Sequence, residues 1–240
     1  ADGATTPTLT GVTMTYVVNA TPEIQASPTA TQNADGTVTI SYAIRDLDSA
    51  SGTGSEGVLT PSFEYSLDNG SHWSAITSGL PGSATTVKAV DTVTPTNYTS
   101  YSATWTAKTQ LNGSYAAQAK IRITVNDLQG ANNIATAATA AFVLDVKNPT
   151  LGATPITVDA SVTPAHLDLS ASDDTSLQMC ISLDNTQSNC VSYATSATLG
   201  LATDPDTAYV IFVDAKGNTS SASAVTPPTP TSVVIRDISN

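Results

Sequence analysis

The chain has 240 residues, with eight Lys and Arg against twenty Asp and Glu, a formal charge of −12. At about 100–200 residues per domain the length suggests one or two domains, and the acidity argues against nucleic acid, whose phosphates need Lys and Arg. No apolar run reaches the roughly 18 residues of a membrane-spanning helix. The N-terminus has neither a basic nor an apolar leader region, so a secretory leader is either already removed or absent from this chain. Thr (40) and Ser (27) dominate, and the acids are 17 Asp to 3 Glu. Thr favours strands and Asp favours turns, whereas the helix formers Glu, Lys, Leu and Arg are scarce. The composition therefore reads as all-β, with the charge in the turns.

In chain order, Thr13 to Val18 is a first expected strand, followed by a Pro-marked stretch at Thr21–Ile24. After the turn Ala34-Asp35-Gly36, Val38, Ile40, Tyr42 and Ile44 alternate with polar neighbours. Phe63, Tyr65 and Leu67 alternate next, then come the turn Asp68-Asn69-Gly70-Ser71 and a strand Trp73 to Ile76. Further strands are expected at Thr85–Val90, Tyr98–Ala107, Ala117–Val125 and Ala138–Val146. Lys147-Asn148-Pro149-Thr150 reads as a linker. A second set follows at Pro155–Asp159, Ala165–Ala171, Leu177–Leu183, Cys190–Tyr193, Ala197–Leu201, Ala208–Val213 and Thr219–Val225. Pro227-Pro228-Thr229-Pro230 is a stiff second linker. Beyond it, Val233, Val234 and Ile235 form a strand with no hairpin partner of its own.

The two halves repeat. Phe63–Asn69 lines up with Met179–Asn185, Ile123–Gly130 with Ile211–Gly217, and Asp46-Leu47-Asp48 with Asp173-Asp174. Three matches in one order point to tandem copies of one module. The stretches Ala34–Tyr42, Tyr65–Gly70 and Val213–Asn218 resemble the tandem immunoglobulin-like or fibronectin-III-like modules of large bacterial cell-surface and S-layer-type proteins. That resemblance implies an all-β chain of two β-sandwiches joined by a short Pro-containing linker. Residues 1–148 would form the first, with an extended N-terminal segment, and 149–228 a smaller second. Residues 229–240 would be an extended strand that begins a further module or joins a neighbouring subunit.

Little in the sequence suggests catalysis. Ser66–Trp73 resembles the Asp-box hairpin of sialidases, a structural turn, and neither His72 nor His166 sits in a nucleophile motif. Calcium takes six to eight oxygens, from Asp, Asn and carbonyls. In a sandwich of this type, the loops after the second strand and before the last strand lie at one end. They hold Asp46, Asp48, Asn126 and Asp127 in the first module and Asp173, Asp174, Asp214 and Asn218 in the second, beside a linker with Asp145 and Asn148. A cation there would offset carboxylate repulsion and stiffen the hinge, and the alternative is metal-free turn residues. Cys180 aligns with Glu64 and should face outward, opposite Cys190 on the next strand, giving a disulfide and an oxidising compartment. The five Asn-x-Ser/Thr sequons are close to the roughly four expected by chance from the composition. A Lys–Asn isopeptide bond at Lys88, Lys108 or Lys120 would need a buried acid, and only three Glu are present. Trp73 and Trp105 are expected to anchor cores.

These features lead to the expectation of a non-catalytic structural subunit of an extracellular bacterial surface layer, filament or stalk. It would assemble through its termini and sandwich edges, with copies of itself or adjacent modules as partners. The alternatives are an adhesin or carbohydrate-binding module, using Tyr98, Tyr101 or Tyr115 on a glycan ligand, and an accessory domain of a secreted hydrolase.

Overall fold

The computed structural model describes residues 11, 19–49, 57–159, 165–182, 185, 187, 190–199 and 207–225. The expected strands at Thr13–Val18 and Val233–Ile235, the Pro227–Pro230 linker and most of the turn after Leu183 lie outside these residues. Up to residue 146 the strands are β1 (Glu23–Ile24), β2 (Thr29–Gln32), β3 (Val38–Arg45), β4 (Val58–Ser66), β5 (Ser74–Ala75), β6 (Lys88–Ala89), β7 (Thr99–Trp105), β8 (Tyr115–Asn126), β9 (Ile134–Ala138) and β10 (Phe142–Asp145). Helix among the described residues is limited to one α turn, α1 (Lys108–Leu111), and a 3-10 turn at Gly82–Ala84. The protein is all-β, in antiparallel sheets.

β3 centres the first sheet. β7 pairs with all but its last residue on one edge, from Val38 opposite Trp105 to Ile44 opposite Thr99. β1 and β2 share the other edge, covering Ile44–Arg45 and Val38–Ser41. The break between them contains Ser27 in the left-handed region, at φ 69°. In the second sheet β4 pairs with β8, and the twelve-residue β8 serves β9 and β10 in succession along its other edge. Strand periodicity puts Val38, Ile40, Tyr42 and Ile44 of β3 and Ile121, Ile123 and Val125 of β8 in one apolar cluster, so the two sheets close on a common core. Trp105 lies fully buried in it, stacked on Tyr65 at 5.6 Å, with its Nε1–H donating to the Ser78 carbonyl at 3.0 Å. Trp73 lies outside that core. Half-buried, it packs against Gly70 and lies beneath the Arg122 guanidinium, 4.6 Å from the ring centre.

The remaining described strands are β11 (Thr150–Asp159), β12 (Ala165–Ser172), β13 (Leu177–Ser182), β14 (Cys190–Ser192), β15 (Ser196–Leu199), β16 (Ala208–Asp214) and β17 (Ser223–Val225). They form two sheets, ordered β11-β12-β15 and β14-β13-β16-β17. A separate apolar cluster of Leu167, Leu169, Met179, Val210 and Phe212 draws on both, and Tyr193 meets Phe212 edge-on at 5.7 Å. Cys180 and Cys190 are direct partners in the β13–β14 register and form a disulfide. Cys180 lies outside the apolar cluster that holds Met179, as the alternation requires, yet it is fully buried where an exposed face was expected.

Where the two groups of strands meet, contacts are polar and close. Gln32 donates from Nε2 to the Asp145 carbonyl at 2.6 Å and accepts the Asp145 N–H on Oε1 at 2.7 Å, which fastens β10 to β2. Asn218 donates from Nδ2 to the same carbonyl at 2.9 Å. Gly217, at φ +82°, lies against the Ala34 carbonyl so tightly that a Cβ there would fall 1.8 Å from the oxygen. Only glycine satisfies both demands.

Candidate metal centre

Three strand ends converge at this meeting point. Asp145 closes β10, Asp173 follows β12 and Asp214 closes β16, and each offers a carboxylate oxygen lying within 4.8 Å of the others. Asp145 is fully buried and Asp214 nearly so, at 5% exposure. Strands end here because Asp side chains bond the backbone two residues on, competing with the ladder. Asp214 Oδ1 accepts the N–H groups of Lys216 and Asn218, at 2.7 and 2.9 Å, and its Oδ2 accepts Asn218 Nδ2 at 2.7 Å. Asp145 Oδ1 accepts the Lys147 N–H at 3.1 Å. The Thr175 hydroxyl is shared between Asp145 Oδ2 (3.1 Å) and Asp173 Oδ2 (2.9 Å). Asp173 Oδ1 is buried without a partner.

Burial raises the Asp145 carboxyl above its ordinary range, and repulsion from Asp173 and Asp214 adds to this against the pull of the Lys147 N–H. The donor set is oxygen only, which suits a hard cation and disfavours metals that prefer nitrogen or sulfur. The orphaned Asp173 oxygen and the mutual repulsion are the features that a bound cation would relieve. The cluster can therefore hold a metal ion.

Of the residues singled out from sequence, Asp173 and Asp214 meet here, and the Asn218 amide nitrogen braces Asp214 and the Asp145 carbonyl. Asp174 instead pairs with Lys147 Nζ at 2.6 Å. Asn148 accepts a hydrogen bond from Lys108 Nζ at 2.8 Å, in an exposed contact. Asp145, noted only as part of a linker, is the buried centre of the group. Its signal in the sequence was an acid closing a Phe142–Asp145 run of otherwise apolar residues.

The corresponding loops of the first strand group hold a second acidic cluster. Asp127 accepts Gln129 N–H on Oδ1 at 2.8 Å and Asn19 Nδ2 on Oδ2 at 3.1 Å. Asp48 Oδ2 accepts the Ala20 N–H at 2.8 Å. Asn126 caps its own turn through the Leu128 N–H, at 2.6 Å. Burial, with the Asp48 and Asp127 carboxylates nearby, pushes Asp46 up to about 7.

The hairpin with the Asp-box pattern is a turn held by its own side chains. Ser66 Oγ donates to Asp68 Oδ1 at 2.8 Å and His72 Nδ1 lies 2.5 Å from Asp68 Oδ2, which holds Asp68 well below the usual carboxylate range. Tyr98 is engaged by Glu23 and by Arg45, whose guanidinium lies 4.4 Å over its ring. Tyr101 borders an open groove of about 460 Å³ on the first sheet, with Thr29, Ser41, Ser100 and Ser102 also lining it. The chain matches no known protein-family model and no curated relative. No helix among the described residues is long and apolar enough to cross a membrane.

Proposed function

We propose that this chain is a non-catalytic structural segment of an extracellular bacterial surface layer, filament or stalk. In this reading it consists of two immunoglobulin-like or fibronectin-III-like sandwiches in series, residues 1–148 and 149–228, with calcium at their junction. The observation that carries the proposal is the convergence of Asp145, Asp173 and Asp214 where one strand group hands over to the next. A cation held there ties the end of β10 to loops of the following strands, so binding fixes an angle between bodies without any reaction. The disulfide agrees with an oxidising, extracellular setting. Assembly would use the sheet edges and the terminal segments, with copies of the chain or neighbouring modules as partners.

Small-angle scattering and thermal melting of the full chain, in calcium and in chelator, test this reading. Calcium is expected to raise the melting temperature by several degrees and to narrow the distribution of shapes. Asp173→Asn should abolish both effects. A chain indifferent to calcium, and monomeric at every concentration, would overturn the proposal.

A second reading, a glycan-binding module, is favoured by the groove beside Tyr101. Its hydroxyl-rich, uncharged lining suits a neutral sugar more than an acidic one. Glycan binding lost in Tyr101→Ala would select that reading.

A further inference from the structure

Asp46 follows β3 directly and is fully buried, and beyond the Asp48 N–H and carboxyl of its own turn no donor among the described residues satisfies its carboxylate oxygens. An uncompensated buried carboxylate costs several kcal/mol, so proteins normally pair one or give it a metal. No ion pair reaches Asp46 or Asp127 among the described residues. Asp48 and Asp127 are near enough to repel Asp46. A second orphan points the same way. Asn19 Oδ1 is buried without a partner, while Nδ2 of the same amide is fixed by Asp127 Oδ2 at 3.1 Å and the Ala131 carbonyl at 2.7 Å. That anchoring makes Asn19 Oδ1 an available acceptor beside Asp127.

Three of these residues, Asp127, Asp46 and Asn19, have counterparts at the junction. Asp127 and Asp214 each donate their N–H to a carbonyl that closes the loop, Asn133 at 3.1 Å and Asn218 at 3.0 Å, and each accepts the N–H two residues on. Asp46 follows β3 as Asp173 follows β12, and Asn19 precedes β1 as Asp145 precedes β11. We propose that Asn19, Asp46, Asp48 and Asp127 form a second site for a hard divalent cation of calcium's class, at the head of the first strand group. Three carboxylates and an amide oxygen supply oxygen donors alone, the set calcium takes. This site goes beyond the junction reading and stands whether or not the chain assembles.

Calorimetric titration of the chelator-treated full chain with calcium, beside melting curves, tests it. Two equivalents are expected to bind. Asp46→Asn, which keeps the shape and removes the charge, should lose one equivalent and leave the one that Asp173→Asn removes. Asn19→Ala, which leaves every carboxylate in place, should weaken the same equivalent about tenfold. A wild-type chain binding one equivalent, lost in Asp173→Asn and untouched by Asp46→Asn and Asn19→Ala, would overturn the second site and spare the junction. Binding lost only in Asp46→Asn would do the reverse. A calcium-indifferent chain, made more stable by Asp46→Asn, would show a buried acid and no metal site.

Discussion

Gln32 carries more of the architecture than its polar, exposed-looking sequence context suggests. It is 6% exposed, and its amide satisfies both backbone groups of Asp145 at once. Gln32→Leu fills similar space but leaves a buried N–H without a partner and its C=O with only Asn218. The expected loss is about 2–3 kcal/mol in denaturant unfolding, since an orphaned buried polar group costs its full desolvation; an unchanged midpoint would show that water replaces the amide. No sequence signal marked Gln32, because its partner lies 113 residues away. The acids were more legible. Asp46, Asp127, Asp173 and Asp214 stand at or just beyond strand ends, and the alignment of the two halves, with the resemblance to a sandwich module, singled them out in the sequence. Asn19 was visible only as the start of a sequon, since its relation to Asp127 exists only in three dimensions.

At the scale of elements, strands buried on one face could be read directly. In β3 from Val38 to Ile44 and in β8 from Ala119 to Val125 every second residue is apolar and lies in the core. β1 and β2 were hidden because Thr21–Gln32 is polar and twice interrupted by Pro, which an edge strand tolerates and a central strand does not. β9 escaped notice for the opposite reason, the expected strand Ala138–Val146 taking in β10 but only the last residue of β9. The intervening Thr139-Ala140-Ala141 contains no Gly, Pro, Asn or Asp to mark a break, and the Ala-rich β9 shows little alternation. The β13–β14 pairing was legible through its cysteines. With the two cysteines ten positions apart in sequence, the loop-closure estimate gives the bond about 2–3 kcal/mol. Cys180→Ala with Cys190→Ala is expected to lose that much in a denaturant melt, and reductant should bring the wild type down to meet it. A reductant-insensitive wild type would show that the bridge does not restrain the unfolded chain.

For the whole molecule, the acidic clusters set the dependence of stability on pH. Asp46 is raised to about 7, and Asp145 is raised too, so between the unfolded carboxyl value of about 4 and the folded value the native state holds protons that the unfolded state has released. Stability of the calcium-free chain should therefore fall as pH rises from about 4 to about 7. Glu23 and Glu64, lowered by their bonds to Arg45 and Arg122, act oppositely but only in the acid range. Melting in chelator is expected to be higher at pH 5.5 than at pH 7.5, and calcium should erase the difference; a higher melting point at pH 7.5 would contradict the burial of these acids. The approach of Gly217 to Ala34 has a mechanical corollary. Main chain meets main chain there with no side chain between as a cushion, so twisting one body against the other drives peptide groups together. A pull along the polypeptide enters at Val146 and is taken up at once by the Gln32 and Asn218 bonds to Asp145. The joint between the two strand groups therefore resists twisting and stretching, more as a coupling than as a swivel.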